Sequence, residues 1–294
     1  MKLGFIGLGK MGKNMVLHLK EQGVEVVAYN RTPQERSTVT SIADLVKNIP
    51  SPRVIWLMVS AGAAVDEVLD QLIASGLQKG DIVIDGGNSF YKDSVRRYDK
   101  LSKSGIHYVD CGTSGGLDGA RVGACLMLGG DESVIGSFRW LWDALAAKDG
   151  WLQVGSSGAG HFVKMIHNAV EYGMDQAIGE GFALLSKGPY NLDLRSVAKN
   201  WNNGSIIRGY LLELLAQALS EDPHLDTFTG KVGGGETGTW AVATAKELGI
   251  EVAVLEKALE ARKKSKEAPT FATKVVSALR REYGGHEEFQ KSPR

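Results

Sequence analysis

Seven short apolar runs within the first 155 residues limit the folds open to this chain more than any other feature. They read KLGFI (2–6), VEVVAYN (24–30), VIWLMVS (54–60), DIVIDGG (81–87), IHYVDC (106–111), ACLMLGG (124–130) and WLQVG (151–155). Helical patterns such as KMGKNMVLHLKEQG and SVRRYDKLSKSG lie between them, each closed by a glycine suited to the left-handed residue after a helix. Runs apolar along their whole length predict strands covered on both faces, hence a mostly parallel sheet with helices on each side. The last runs, separated by SGG and GG turns, could add antiparallel edge strands. Past Gly155 strand candidates almost disappear. IIRGYLLELLAQALSE, GTWAVATAKELG, VAVLEKALEARKKSK and FATKVVSALRREYGG predict helices instead. The chain therefore reads as an α/β domain over 1–155 followed by an all-helical domain over 156–294.

Composition narrows the function classes. A formal net charge of zero gives no overall footprint for nucleic acid or an anionic membrane. The only cysteines, Cys111 and Cys125, make no disulfide framework, and neither has a metal-binding partner at ligand spacing. No metal is expected. The N-terminus enters structure at once, without the apolar region of a signal peptide, and the charges of the long helix near 160–185 speak against a membrane span. A cytoplasmic protein is the expectation, with no internal repeat and a polar tail, HEEFQKSPR.

GLGKMG (7–12) fits G-x-G-x-x-G, a weak pattern alone, but here it follows a strand and opens a helix. In that context Gly7 permits the tight turn, Gly9 lets the backbone approach a pyrophosphate, and Gly12 allows close helix–strand packing. The helix N-terminus adds free N–H groups and a positive dipole end. The first domain is thus expected to be Rossmann-like and doubly wound, with Gly7, Leu8, Gly9, Lys10, Met11 and Gly12 against the dinucleotide. The second strand ends in Asn30, Arg31 and Thr32 with no carboxylate. A guanidinium there can pair with a 2′-phosphate, which favours NADP; Arg31 stacked on the adenine or solvated leaves NAD open.

Ligands of such sheets bind beyond the carboxyl ends of the strands. Three of these ends are polar or glycine-rich: MVSAG, with Met58, Val59 and Ser60 placed at the cofactor; DGGNS, with Asn88 able to reach a carboxamide or a sugar hydroxyl; and CGTSGG, with Ser114, Gly115 and Gly116 able to hold a carboxylate. Each is also ordinary turn chemistry; their common edge favours a site. The stretch GAGHFVKMIHNAVEYG (158–173) brings Lys164, His167, Asn168, Glu171 and Asp175 onto one stripe at about 100° per residue, with His161 a turn away. Phe162, Ile166, Ala169, Val170 and Ala177 fill the other side. A solvated face is the ordinary reading of such a stripe. It ends abruptly, however, as Ile178, Phe182 and Leu185 continue the same face, so the polar patch is expected to line a cavity. A partly buried lysine and carboxylate two turns apart suit base and acid roles. Glu180 falls on the apolar side and is expected to make a buried hydrogen bond.

In this order, GLGKMG, NRT, DGGNS, SGGLDGARVGACLMLGG and GAGHFVKMIHNAVEYG resemble the decarboxylating 6-phosphogluconate dehydrogenases in their short form, within the β-hydroxyacid dehydrogenase superfamily. The likeness is close over about the first 190 residues and returns at RREYGGH (280–286). Relatives of the 3-hydroxyisobutyrate type share the glycine fingerprint and the helix lysine but typically lack DGGNS and HN…EYG. The resemblance implies Lys164 as general base and Glu171 as acid, without a metal, in the conversion of a sugar acid to a ketopentose and CO2. It implies that Asn88, Ser114, Gly115, Gly116, His167 and Asn168 hold the sugar acid, and that Tyr172 and Arg262 hold its phosphate. It implies that Arg280 and His286 reach the site of a neighbouring subunit in a homo-oligomer, a dimer or tetramer. One departure stands out: where the long form has lysine in TGKW this chain has Thr239. That leaves open an unphosphorylated sugar acid, beside the alternative of a non-decarboxylating β-hydroxyacid dehydrogenase.

Overall fold

A computed structural model of the chain describes residues 2–286. The sheet-bearing part runs β1 (Lys2–Ile6), α1 (Lys10–Glu21), β2 (Glu25–Tyr29), α2 (Ile42–Lys47), β3 (Val54–Leu57), α3 (Ala63–Ala74), β4 (Ile82–Asp85) and α4 (Tyr91–Ser102). It continues with β5 (His107–Ser114), α5 (Gly116–Val122), β6 (Ala124–Gly129), α6 (Glu132–Ser137), α7 (Arg139–Leu145) and β7 (Ala146–Gly155). Then come only helices: α8 (Ala159–Lys187), α9 (Leu194–Asn202), α10 (Tyr210–Glu221), α11 (Glu236–Glu247), α12 (Ala253–Lys264) and α13 (Phe271–Gly284).

The seven strands form one sheet in the order β2-β1-β3-β4-β5-β6-β7. The first five are mutually parallel, β6 runs antiparallel to β5, and β7 runs parallel to β6. The period-2 side-chain rule divides each strand between two cores. Leu3, Phe5, Val54, Trp56, Ile82 and Ile84 pack on one face with Met15, Leu19 and Trp142 of α1 and α7. Ile6, Ile55, Leu57 and Val83 pack on the other with Leu45, Leu69, Leu72 and Leu101 of α2, α3 and α4. Burial on both faces is what the uninterrupted apolar runs require. The strand order reverses between β1 and β3, so the crevice beyond their carboxyl ends is the place where such sheets receive ligands.

The chain divides into two compact units, Met1–Met165 and Ile166–Arg294, and the division falls inside α8. The change of pattern at Gly155 marks the last strand and not this division, because the first turns of α8 lie on the sheet. A Cβ on Gly160 would run into the Asp110 and Met127 carbonyls and come within 2.8 Å of the Gly129 amide. The helical unit has its own core, in which Phe182 of α8 meets Ala198, Leu212, Leu215, Leu219, Phe228, Val275 and Leu279. Truncating one of these leucines to alanine would cost about 2–5 kcal/mol. Helix α13 starts at a reciprocal cap between Thr270 and Thr273.

Candidate active site

The glycine loop is built as its spacing predicts. Gly7 has φ +102°, and a Cβ there would strike the Met58 carbonyl; a Cβ on Gly12 would strike the Gly7 carbonyl. Gly9 caps α1, and nothing lies within 4 Å of where its Cβ would be. Two of the glycines are therefore needed for close packing, and the third leaves open space at a helix N-terminus, which fits a pyrophosphate. Leu8 is buried, Met11 half-buried and Lys10 exposed. Asn30 braces the loop: its Oδ1 accepts from the Leu8 amide at 2.8 Å and its Nδ2 donates to the Thr32 carbonyl at 2.7 Å. Arg31 is exposed and makes no ion pair among the described residues, so its guanidinium is available to an anion.

The other strand ends at this edge carry the residues expected there. Met58 and Val59 are half-buried, Ser60 and Asn88 exposed. Ser114 ends β5, and the left-handed Gly115 (φ +118°) and Gly116 (φ +63°) open α5. A Cβ on Gly115 would lie 2.9 Å from the Gly119 Cα, so this turn tolerates no side chain.

Lys164 sits low on α8, only 6% exposed. A Cβ on Gly112 of β5 would come within 2.5 Å of the Lys164 Cβ and 2.9 Å of the Gly160 carbonyl, so the lysine stem rests directly on the strand. The start of α8 is fixed by Asp110, whose Oδ1 accepts from the Gly158 amide at 2.6 Å and Oδ2 from the His161 amide at 2.9 Å. Burial raises this carboxyl above its ordinary value. His161 Nδ1 lies 2.7 Å from Ser94 Oγ.

Within the helical unit, His167 Nδ1 lies 3.2 Å from Asn168 Oδ1 and 3.9 Å from Glu171 Oε2. Asn168 is 9% exposed and the Glu171 side chain 24%. The Arg262 guanidinium stacks on the Tyr172 ring at 3.6 Å, and the Tyr172 hydroxyl lies 3.0 Å from Thr237 Oγ1. Both Nη atoms of Arg262 are buried without a hydrogen-bond partner. Such atoms are costly unless a ligand pairs them, and a planar fork suits a phosphate or carboxylate. Thr239 spends its hydroxyl on the Gly235 carbonyl at 3.0 Å, within its own helix. Arg280 is 7% exposed and His286 is exposed. The tail beyond His286 lies outside the described residues.

The polar stripe of α8 is its buried side, while Val170, Met174 and Leu184 are 47, 52 and 76% exposed. Glu180 corrects the expectation of a buried contact: it is exposed and accepts from Gln176 Nε2 at 2.8 Å. The side assigned to the core by helical spacing faces outward at that point, so nothing forces the carboxylate inside. Asp175 is the group whose position carries more than the sequence suggested. It is fully buried, accepts from the Tyr283 hydroxyl at 3.1 Å, and leaves Oδ1 unpartnered. Burial pushes its carboxyl up to about 7, with Glu171 adding to the rise and Arg262, Tyr283 and Arg280 opposing it. Among the described residues no cluster of three or more His, Cys, Asp or Glu could hold a metal ion, and no helix is long and apolar enough to cross a membrane.

Comparison with known proteins matches residues 2–155 to the NAD binding domain of 6-phosphogluconate dehydrogenase and residues 160–290 to the C-terminal domain of the same enzyme. The chain belongs to the 6-phosphogluconate dehydrogenase family. A family member from Haloferax volcanii, named as the NAD(+)-dependent decarboxylating enzyme, is 43% identical over 99% of this chain and 99% of its own. The NADP(+)-dependent decarboxylating enzyme of Bacillus subtilis is 35% identical over 89% of this chain but only 60% of its own length. The structure of the Plasmodium falciparum 6-phosphogluconate dehydrogenase, described in apo form and in complexes with NADP+ and 6-phosphogluconate, superposes with a TM-score of 0.80 at 32% identity. That match covers 90% of this chain and 62% of the other. The chain is thus similar to one family member along its whole length and to longer ones along little more than half of theirs. Family membership makes it an enzyme with a nicotinamide dinucleotide fold, and it favours decarboxylation over the 3-hydroxyisobutyrate type of reaction.

Proposed function

We propose that this chain oxidatively decarboxylates 6-phosphogluconate to ribulose 5-phosphate with NADP, or NAD, as hydride acceptor. The observation that carries the reading is the placing of Lys164, buried against Gly112, and Glu171, partly exposed two turns further along the same helix. The loop of Gly7, Gly9 and Gly12 would hold the pyrophosphate, and Arg31 the ribose 2′-phosphate. Once bound there, the dinucleotide would supply the hydride acceptor. Lys164 takes the proton of the substrate hydroxyl β to the carboxylate, and a β-keto acid results. The carboxylate leaves as CO2 because the ketone receives the electron pair, and the protonated Lys164 polarises that ketone. Glu171 then protonates the enediol at carbon to give the ketopentose. Asn88, Ser114, Gly115, Gly116, His167 and Asn168 hold the sugar acid, and Tyr172 and Arg262 its phosphate. The enzyme works in the cytoplasm as a homo-oligomer, a dimer or tetramer, in which Arg280 and His286 serve a neighbouring subunit's site.

Two observations bear on the phosphate. The unpartnered fork of Arg262 favours an anionic end, whereas the hydroxyl of Thr239, committed to Gly235, adds no charge there. A matrix of steady-state rates with gluconate and 6-phosphogluconate, each with NAD and NADP, tests both ends of the reading, and trapped CO2 identifies the chemistry. Stoichiometric CO2 with the phosphorylated acid is expected; a stable keto or aldehyde product sinks the decarboxylase. A higher kcat/KM with NAD than with NADP removes Arg31 from phosphate recognition.

A further inference from the structure

The sheet-bearing unit holds two arginine–aspartate pairs, one at each edge of the sheet. At the amino edge, ahead of β3 and β4, Arg53 donates to Asp81 at 2.9 Å and to the Val46 carbonyl at 3.1 Å. At the carboxyl edge lies Arg97 of α4, fully buried. Its Nε donates to Asp66 Oδ1 at 2.9 Å, its Nη2 to the Gly62 carbonyl at 2.9 Å, and its Nη1 to Ser89 Oγ at 3.2 Å. Asp85, also fully buried, lies 3.5 Å from Arg97 Nη1. It accepts from Ser89 Oγ at 2.7 Å, the Tyr108 hydroxyl at 2.9 Å and the Gly87 amide at 3.2 Å.

A guanidinium that only needed a counter-charge would be satisfied by Asp66. Arg97 pairs with Asp66 through Nε and, at 3.3 Å, Nη2, and in addition extends Nη2 and Nη1 to loop atoms. The Gly62 carbonyl belongs to the loop that follows β3 and carries Met58, Val59 and Ser60. Ser89 belongs to the loop that follows β4 and carries Asn88. A planar fork fixes the separation of what it binds in a way a flexible ammonium does not.

We propose that Arg97 is a positioning residue that locks these two loops in register, through Gly62 and Ser89, so that cofactor and sugar acid are held at the correct separation. This rests on the reading that the loops hold those ligands. Arg97 touches neither ligand; it acts through Asn88 and the 58–60 turn. Displacements of an ångström in positioning groups are enough to cost large factors in catalysis.

Three variants of the full chain test it: Ser89→Ala, Arg97→Lys, and Arg53→Lys as the matched disturbance at the opposite edge. Dinucleotide Kd is read by protein fluorescence without sugar acid, KM and kcat in steady state, and Tm in parallel. Ser89→Ala and Arg97→Lys are expected to raise both Kd and KM about tenfold or more. Arg53→Lys is expected to lower Tm while both constants stay within about twofold of the parent. The proposal is overturned if Ser89→Ala leaves both constants within that range, or if Arg53→Lys raises them as much as the loop variants do. Should Arg97→Lys not fold, Ser89→Ala decides alone. Should the parent turn over no sugar acid, the functional reading fails, and the dinucleotide Kd still decides the role of Arg97.

Discussion

Lys164 owes its environment to a glycine in another element. Its stem lies where any side chain at residue 112 would be, and this keeps the amine out of bulk water beside the strand end. Lys164→Met and Glu171→Gln are each expected to lower turnover by roughly 10²–10⁴ with dinucleotide affinity nearly unchanged. Turnover within tenfold of the parent would remove either residue from the mechanism. Asp175 offers a second test, in stability. Folded, its carboxyl keeps the proton up to about pH 7, whereas unfolded it releases it near the ordinary 3.8. The native state therefore binds more protons across that window, and its stability falls as pH rises through it. Asp175→Asn should remove this slope, so that the variant gains on the parent in denaturant unfolding between pH 4 and pH 8. An offset equal at both pH values would show that folding does not raise the carboxyl above its ordinary range. The sequence singled out Lys164 and Glu171 as acid–base candidates because their types and spacing suit that chemistry. Asp175 shared their stripe, but only its burial and the Tyr283 hydroxyl of α13 distinguish a buried acid from a solvated one.

At the scale of elements, α8 decides the most. Its period was readable from residue spacing, and the abrupt end of its polar stripe already pointed to a buried patch, but an amphipathic pattern does not say what covers each face. Asp110 anchors the first turn, the glycines at 112, 129 and 160 let the helix lie against the strands, and Phe182 holds its far end in the helical core. Glu180 was misread for this reason: it was assigned by angle alone, and the outward side of α8 carries Val170, Met174 and Leu184 as well. Gly112→Ala isolates the helix–strand contact. The added methyl must push Lys164 aside, with an expected stability loss of about 1–3 kcal/mol and a fall in kcat larger than stability explains. Unfolding curves measured beside steady-state rates check this, and an unchanged kcat would show that the lysine does not depend on that contact. The strands were easier to read than α8, since runs such as VIWL and GFI have no polar side to misplace.

At the scale of the molecule, the glycine loop should link ligand to stability. Dinucleotide at one hundred times its Kd is expected to add about 2.7 kcal/mol to the state that binds it. For a unit of this size that raises Tm by roughly 5–10 °C, as calorimetry would read, and a transition that ignores the dinucleotide would mean that the loop does not bind it. The sequence by itself determined the α/β class, the change to helices after Gly155 and the glycine loop, and it pointed to Lys164 and Glu171 as the acid–base pair proposed here. These depend on local period, chain-reversal chemistry and residue type, which are properties of neighbours along the chain. The tertiary structure alone decided that the first turns of α8 belong with the sheet, that Val170, Met174 and Leu184 of α8 face outward, and that Thr239 is committed to its own helix. It also brought Arg97 to the loops after β3 and β4 and Asp175 to Tyr283. Each of these is set by burial and by partners distant in sequence, and a linear pattern carries no record of which distant groups will share a low-dielectric space.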